Sequence, residues 1–321
     1  MHRQPEHRAL NTLAVVLQEP QHLGLRELAL AEPGPADVVV ETEWSGISTG
    51  TERLLWSGAM PPFPGMGYPL VPGYEGVGRI SHAGAESGRM RGERVFVPGA
   101  RCFGEVRGLF GSAAARVVVP GARVTPVAES LGERAILLAL AATALHALNV
   151  ATVVPQLVIG HGVLGRLVAR LAVLRAAAPP VVWETNPARR DGGQGYEVVD
   201  PASDPRRDYS GICDVSGDSK LLDTLIARLA PRGEVVLAGF YSAPLTFDFA
   251  PAFMREASLR TAAQWQPADL HAVCGLVESG ALSLDGLITH RAAASDAPDA
   301  YRTAFADPDC LKMVLDWSTA A

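Results

Sequence analysis

The chain has 321 residues, of which 48% are hydrophobic and 6% aromatic, and its formal net charge is -6 at pH 7. This length suits about two domains with full apolar cores, and the acidic balance argues against a nucleic-acid partner. The four cysteines lie far apart, without a metal-binding or disulfide spacing, which indicates reduced thiols and a cytoplasmic location (Cys102, Cys213, Cys274 and Cys310).

Residues 1–140 are expected to form a β-rich domain. Its N-terminal residues are polar and do not form a signal peptide. Short β-branched runs recur between glycines and prolines, as in a small barrel or irregular sheet, at 13–17, 38–44, 76–80, 94–97 and 116–119. A long aperiodic segment, "LLWSGAMPPFPGMGYPLVPG" at 54–73, interrupts them. Its length and composition are typical of a binding loop or lid.

Residues 141–269 are expected to form a doubly wound α/β domain. After an apolar helix over 133–151, strands and helices alternate, which predicts a parallel sheet with helices on both faces. The expected elements are 156–160, 162–177, 180–184, 196–200, 211–217, 220–230, 233–240 and 259–265. The segment from about 270 to 321 is expected to rejoin the first domain. The longest apolar stretch, 135–144, is too short to span a bilayer, and peripheral membrane contact is left open.

A dinucleotide-binding turn is predicted at the start of the second domain. The residues that fit G-x-G-x-x-G, directly after a strand and at the start of a helix, are Gly160, His161, Gly162, Val163, Leu164 and Gly165. Such a turn presents free helix N–H groups to the phosphates. Glu184 ends the next strand, where an acid accepts hydrogen bonds from the ribose and repels a 2′-phosphate. NAD is therefore predicted, although Arg189 and Arg190 offer an alternative site for the phosphate of NADP.

The segments "SGIS" at 45–48, "PGYEGVGRI" at 72–80 and "GERVFV" at 92–97, followed by this turn, resemble the medium-chain dehydrogenase/reductase family over nearly the whole chain. The resemblance implies a GroES-like N-terminal domain, which carries catalysis, and a Rossmann domain. Where the family has a cysteine and a histidine that bind zinc, this chain has Ser48 and Tyr74. The region of the third ligand offers His146, off the matching position. Serine and tyrosine are poor zinc ligands, so we expect no metal.

Further segments resemble the branch of this family that acts on bacteriochlorophyllide, a tetrapyrrole. They include "SGISTGTE" at 45–52, "GLFGSAAARVVVP" at 108–120, "PAFMREASLR" at 251–260 and "DPDCLKM" at 307–313. This resemblance implies NAD-dependent oxidation of a ring hydroxyethyl group to acetyl. The candidate catalytic residues, which would hold the alcohol oxygen or take its proton, are Ser48, Thr51, Tyr74, Glu75 and His146, with Glu52 as another acceptor. The candidate residues for the substrate are Thr49 and the large loop side chains Trp56, Met60, Phe63, Met66 and Tyr68. Three alternatives stay open: this loop packs on its own domain or at a dimer interface, Ser48 and Tyr74 only pack at the former ligand positions, and His146 is a helix histidine packed against the seam between the domains.

On the nicotinamide side, the resemblance implies contacts from Ser216, Gly239 and Phe240, which follow successive strands at the carboxyl edge of the sheet. It also implies that Lys312 reaches the pyrophosphate, the alternative being a solvated lysine. Family members are often dimers, so a homodimer is compatible with the sequence. Two other functions remain open: a zinc-free quinone or enoyl reductase, usually linked to NADPH, and a pigment carrier without catalysis.

Overall fold

The computed structural model describes residues 10–318. The polar N-terminal residues that were expected not to form a signal peptide lie outside this range. Within it, the strands are β1 Asn11–Glu19, β2 His22–Ala29, β3 Asp37–Ile47, β4 Leu70–Pro72, β5 Gly76–Ala83, β6 Arg94–Val97, β7 Arg107–Leu109, β8 Arg116–Pro120, β9 Thr125–Pro126, β10 Leu157–Ile159, β11 Val181–Trp183, β12 Glu197–Val199, β13 Tyr209–Asp214, β14 Leu229–Leu237, β15 Ser258–Thr261, β16 His290–Ala293 and β17 Met313–Asp316. The α-helices are α1 Thr51–Ser57, α2 Leu138–Val150, α3 Val163–Arg175, α4 Leu222–Ile226, α5 Phe249–Arg255, α6 Pro267–Glu278 and α7 Ala297–Ala306.

The chain divides into two compact units. Of the described residues, unit 1 contains 10–136, 290–305 and 313–318, and unit 2 contains 137–289 and 306–312. The chain therefore returns to unit 1 at residue 290, whereas the sequence suggested a return near 270.

Unit 1 is built on two β-sheets. One has the strand order β2-β1-β4-β7, and the other runs β16-β17-β3-β5-β6-β9 with β8 also paired to β3. Strand β3 is the centre of the larger sheet because it pairs with β5, β8 and β17. Most of its residues are buried, including three consecutive valines at 38–40, so both of its faces are covered. The C-terminal strand β17 is thus an internal strand of this sheet.

Unit 2 contains a six-stranded sheet in which each neighbouring pair of strands is parallel. The strand order is β12-β11-β10-β13-β14-β15, which is the doubly wound order 3-2-1-4-5-6 of the Rossmann fold. The strand order reverses between β10 and β13, where ligands bind in such sheets. The expected α/β class and parallel sheet are confirmed. The helix expected over 220–230 is shorter, because the backbone of Arg228 already pairs with Tyr209 at the start of β13.

One helical stretch, Glu129–Val150, is long and apolar enough to cross a membrane by length and composition alone. The sequence had marked only 135–144 as continuously apolar, and the helical backbone extends beyond it on both sides. Gly132 interrupts the stretch with a φ of 52°. Most of the stretch is buried inside the protein, as a core helix would be, so it is weak evidence for a membrane span.

Helix α6 belongs to unit 2 because a buried carboxylate ties it to α2. Asp269 accepts hydrogen bonds from His146 Nδ1 at 2.8 Å and from Asn149 Nδ2 at 2.7 Å. It also caps its own helix by accepting the N–H of Gln266. Burial alone would raise the pKa of Asp269, but these hydrogen bonds outweigh it and hold the pKa below the ordinary value.

We predict that Asp269→Asn lowers the free energy of unfolding of unit 2 by about 1–3 kcal/mol at neutral pH, because it weakens bonds to a buried acceptor. Since the native pKa is depressed, this stabilisation is present above the ordinary value of 3.8 and is lost as pH falls through the lower native value. Urea unfolding at pH 7 and near pH 3 measures it. Asp299→Asn, in an exposed pair with Arg302, is the control and should change little. An equal deficit at both pH values would contradict the prediction.

Candidate functional site

The dinucleotide turn connects β10 to α3 within unit 2. Gly160 has a φ of +97°, which favours glycine. A Cβ at Gly165 would lie 1.8 Å from the carbonyl oxygen of Gly160, whereas a Cβ at Gly162 would meet nothing within 4 Å. No side chain caps α3, which begins at Val163 and continues through Leu164. The turn thus leaves open space beside Gly162 at the start of α3, where the first N–H groups have no acceptor within the helix, as an anion site requires.

The side chain of His161 lies inside unit 2, with 0% exposure. Its Nδ1–H donates to the carbonyl of Arg189 at 2.6 Å, and its Nε2 accepts from the hydroxyl of Tyr196 at 2.9 Å. Burial lowers the pKa of His161 to about 4, so the ring is neutral at physiological pH. A ligand at the turn is therefore left with the backbone of His161 and not its imidazole.

Glu184 ends β11 beside this turn. Its Oε2 accepts the N–H of His161 at 2.9 Å, and its Oε1 accepts the N–H of Asn186 at 2.8 Å. The carboxylate is therefore fixed beside the turn, and each oxygen has a further lone pair for a ribose hydroxyl. The guanidinium of Arg189 donates to the carbonyls of Pro308 and Cys310. The guanidinium of Arg190 donates to the carbonyls of residues 184 and 185 and to the carboxylate of Asp200.

The loops that follow β13 and β14 are tied together by Asp214, which is 1% exposed. Asp214 accepts the N–H of Ser216 and the hydroxyl of Tyr241, both at 2.9 Å. A Cβ at Gly239 would lie 2.8 Å from the nitrogen of residue 217, so the two loops touch. Phe240 is 50% exposed at the same edge. The three expected nicotinamide contacts, at residues 216, 239 and 240, thus lie close together.

Lys312 is in unit 2 and is buried. Its backbone carbonyl accepts the N–H of Thr289. The alternative of a solvated lysine therefore does not hold, and its contact with a pyrophosphate stays a prediction.

In unit 1, the structure joins the two residues that stand at the expected zinc positions. The Oγ of Ser48 lies 2.7 Å from the hydroxyl of Tyr74, within hydrogen-bond distance. Burial raises the pKa of Tyr74 well above its ordinary value, and the nearby Glu75 raises it further, although hydrogen bonds from Ser48 and Thr51 oppose the shift. The phenol is therefore protonated at neutral pH and is a hydrogen-bond donor rather than a base.

Two buried carboxylates accompany this hydroxyl pair. Glu52, 1% exposed, accepts the N–H of Ser48 at 3.0 Å and the hydroxyl of Tyr301 at 2.6 Å. Glu75 is 0% exposed. Its Oε2 lies only 2.2 Å from the position that a Cβ on Gly46 would take, so the carboxylate packs directly against this glycine. Tyr301 was missed by the sequence analysis because it lies 249 residues from its partner, with no motif around it.

A zinc ion does not fit this donor set. Ser48 and Tyr74 offer neutral hydroxyls that bond each other, whereas zinc in proteins is held by thiolate, imidazole or carboxylate groups. Within residues 10–318, no group of three or more His, Cys, Asp or Glu side chains is arranged to hold a metal. The hydroxyl pair is instead suited to hold an alcohol oxygen and pass on its proton.

Much of the loop predicted to hold a tetrapyrrole packs against its own unit. Met60 is buried at 8% exposure in an apolar cluster with Leu17, Leu55, Leu70 and Leu109, so its side chain serves the core. The other large side chains of the loop are half-buried against this cluster and keep part of their surface free; they are Trp56, Phe63, Met66 and Tyr68. Thr49 is half-buried as well. Phe305, which has no signal in the sequence, contacts Trp56 in a tilted arrangement with ring centroids 5.6 Å apart.

His146 lies in unit 2, on α2, and is paired with Asp269. The residues Ser48, Thr51, Tyr74 and Glu75 all lie in unit 1. A catalytic role for His146 stays a prediction, as does the alternative of packing against the seam between the domains.

Comparisons with known proteins place this geometry in context. The family described as "Alcohol dehydrogenase GroES-like domain" matches residues 34–129. A protein of Cereibacter sphaeroides, named 2-desacetyl-2-hydroxyethyl bacteriochlorophyllide A dehydrogenase, is 57% identical over 97% of this chain and 100% of its own. The protein of that name from Rhodobacter capsulatus is 56% identical over the same shares. The structure of L-idonate 5-dehydrogenase from Escherichia coli has a TM-score of 0.84 and 19% identity, covering 96% of this chain and 99% of that one.

We predict that Gly165→Ala lowers the free energy of unfolding by about 1–3 kcal/mol, because its Cβ would press on a backbone oxygen that cannot rotate away. Gly162→Ala should leave stability unchanged, since its Cβ meets open space, yet it should weaken dinucleotide binding. Thermal unfolding and calorimetric titration with NAD measure these effects. A stable Gly165→Ala protein, or full affinity in Gly162→Ala, would contradict this account of the turn.

Proposed function

The chain belongs to the medium-chain dehydrogenase/reductase family, together with the two full-length relatives, and we propose that it oxidises the ring hydroxyethyl group of a bacteriochlorophyllide to an acetyl group. Unit 1 is the catalytic unit, and unit 2 binds the nicotinamide dinucleotide. The observation that carries the catalytic part is the bonded pair of hydroxyls, Ser48 and Tyr74, held above buried carboxylates. The substrate class follows from the names of the relatives.

Alcohol oxidation removes a hydride from the carbinol carbon and a proton from its oxygen. The bound nicotinamide supplies the hydride acceptor. Ser48 accepts the hydrogen bond of the substrate alcohol while its own hydroxyl proton turns toward Tyr74. The phenol, kept neutral by burial and by the adjacent negative charge of Glu75, takes the proton of Ser48 as it gives up its own. The buried carboxylates of Glu75 and Glu52 are the proposed final acceptors of that proton. Ser48 is in turn fixed by Glu52, which bonds its backbone N–H.

The proposed chemistry does not depend on zinc. A metal lowers the pKa of an alcohol and polarises its oxygen. Here the carbinol carbon is attached to a conjugated ring, which spreads the positive character that develops as the hydride leaves. The product ketone is conjugated as well. Side chains must then only bind the alcohol oxygen by hydrogen bonds and accept its proton.

The cofactor that we propose is NAD. Glu184 is held beside the dinucleotide turn by two backbone N–H groups, and its charge would repel the 2′-phosphate of NADP. The two arginines that were the alternative phosphate ligands, Arg189 and Arg190, are bonded to groups of the protein itself.

A homodimer is proposed through the edge of the unit 2 sheet. Strand β15 is terminal in the sheet, and all four of its residues are exposed. Near it in the chain, Phe249, Phe253 and Met254 are exposed by 71%, 64% and 77%. Exposed edges and apolar patches of this kind are typical of interfaces, and a second copy would cover them. The cytoplasmic location, the lack of a nucleic-acid partner and peripheral membrane contact stay predictions.

We predict that the protein with NAD converts hydroxyethyl bacteriochlorophyllide to its acetyl form, seen as a red shift of the long-wavelength absorption band. Ser48→Ala and Tyr74→Phe should each slow turnover by about 10²-fold or more, as expected on loss of proton-transfer groups. Ser57→Ala, an exposed hydroxyl on α1, is the matched control and should keep the full rate. A zinc chelator should leave the rate unchanged.

The same assay separates the alternatives. If both Ser48→Ala and Tyr74→Phe keep the full rate, the proposed roles of the two hydroxyls are wrong. If a chelator abolishes the rate and added zinc recovers it, the reaction depends on a metal. Bound pigment without a red shift would indicate a carrier. Turnover with NADPH on a quinone or an enone, but not on the pigment, would indicate a reductase.

We predict that NAD binds at least about tenfold more tightly than NADP, a difference of about 1.4 kcal/mol. Glu184→Gln should reduce this preference because it removes the charge that repels the 2′-phosphate. Glu197→Gln, an exposed carboxylate on the neighbouring strand β12, should not change it. Calorimetric titration of each protein with both dinucleotides is the measurement, and equal affinities in the unchanged protein would overturn the NAD assignment.

A further inference from the structure

A positive charge stands where the helix dipole disfavours it. Arg166 lies in the first turn of α3 and is 6% exposed. Cations are destabilising at a helix N-terminus, which already carries partial positive charge. All hydrogen bonds that the structure shows for its guanidinium go to backbone carbonyls, those of His161, Arg189, Asp191 and Gly192. A residue that breaks a local rule in this way calls for a functional reason.

The bond to His161 bears directly on the dinucleotide turn. The Nε of Arg166 donates to the carbonyl oxygen of His161 at 3.1 Å. That carbonyl shares a planar trans peptide with the N–H of Gly162, so the two groups point in opposite directions. By holding the oxygen, Arg166 turns the N–H of Gly162 away from itself. A hydrogen bond to the oxygen also polarises the peptide and makes its N–H a stronger donor.

The space beside the Cα of Gly162 is open. A Cβ on Gly162 would meet nothing within 4 Å, and no side chain caps the helix there. We propose that Arg166 is a positioning residue for the pyrophosphate: without touching it, Arg166 aims and strengthens the Gly162 N–H and adds positive charge behind the turn. This inference rests on the dinucleotide-binding part of the proposed function and not on the pigment.

A purely structural role is the competing explanation, because the same guanidinium also holds the carbonyls of residues 189, 191 and 192. That backbone follows Glu184, the candidate ribose acceptor. Loss of a structural tie would disturb adenosine binding as much as phosphate binding. A ligand without phosphate therefore separates the two roles.

The first experiment compares adenosine with ADP by calorimetric titration of the full-length protein. In Arg166→Gln, ADP should bind roughly tenfold more weakly, the effect of losing one charge-assisted contribution, while the affinity for adenosine stays within about twofold. Arg166→Lys, which keeps the charge but not the planar donor fork, should fall between. Arg175→Gln, an exposed arginine in the last turn of the same helix, is the control and should change neither affinity.

The second experiment observes the peptide itself. His161 is the only histidine in the sequence that is followed by glycine. Labelling histidine with ¹³C at the carbonyl and glycine with ¹⁵N therefore gives a single NMR cross-peak from the peptide that joins residues 161 and 162. This peak should shift when ADP binds to the unchanged protein, and it should already be displaced in ligand-free Arg166→Gln.

Equal weakening of adenosine and ADP, or a cross-peak that does not respond to ADP in the unchanged protein, would overturn the proposal. The second result needs no variant, so it applies even if Arg166→Gln does not fold. Failure of the unchanged protein to bind either ADP or NAD would instead remove the cofactor assignment in the proposed function.

Discussion

The contact between α3 and the carbonyl of Gly160 is the constraint on which unit 2 depends. Only a residue without a Cβ at position 165 lets the helix lie so close to the end of β10. The close approach fixes where α3 begins, and so fixes which N–H groups face open space. It also brings Arg166 under the turn, where its guanidinium reaches the carbonyl of His161. One backbone contact thus sets both the shape and the charge of the anion site.

Unit 1 keeps two carboxylates inside its β-sheet core. Glu52 and Glu75 are buried, as are Ser48 and Tyr301, and the half-buried Tyr74 bonds the hydroxyl of Ser48. Buried carboxylates are tolerated only when hydrogen bonds compensate the loss of water. Tyr301 supplies such a donor to Glu52 without adding charge, because burial raises the pKa of its phenol well above the ordinary value. A polar cluster of this kind is rigid, and rigidity is what a site needs to orient a substrate oxygen.

The sequence predicted the parallel sheet and the dinucleotide turn because both depend on local patterns. Apolar runs alternate with helical periods, and three glycines follow a strand. Prediction was weaker where the deciding contact is distant in sequence. Tyr301 reaches Glu52 across 249 residues, and Asp269 draws α6 to α2, which no periodicity reveals. The interior position of the His161 imidazole was equally hidden, since a motif fixes backbone shape and does not specify where a side chain points.

The internal position of β17 has a consequence for how the chain acquires its structure during synthesis. Strand β3 is made before unit 2, whereas its neighbour β17, Met313–Asp316, follows all of unit 2 in the chain. The indole of Trp317 also donates to the hydroxyl of Ser45 beside it. Until β17 has been made, residues 44–47 of β3 lack this partner, although β8 can already pair with residues 37–41. Residues 137–289, the larger part of unit 2, can pack before β17 exists, so the larger sheet of unit 1 is completed after most of unit 2 has been made.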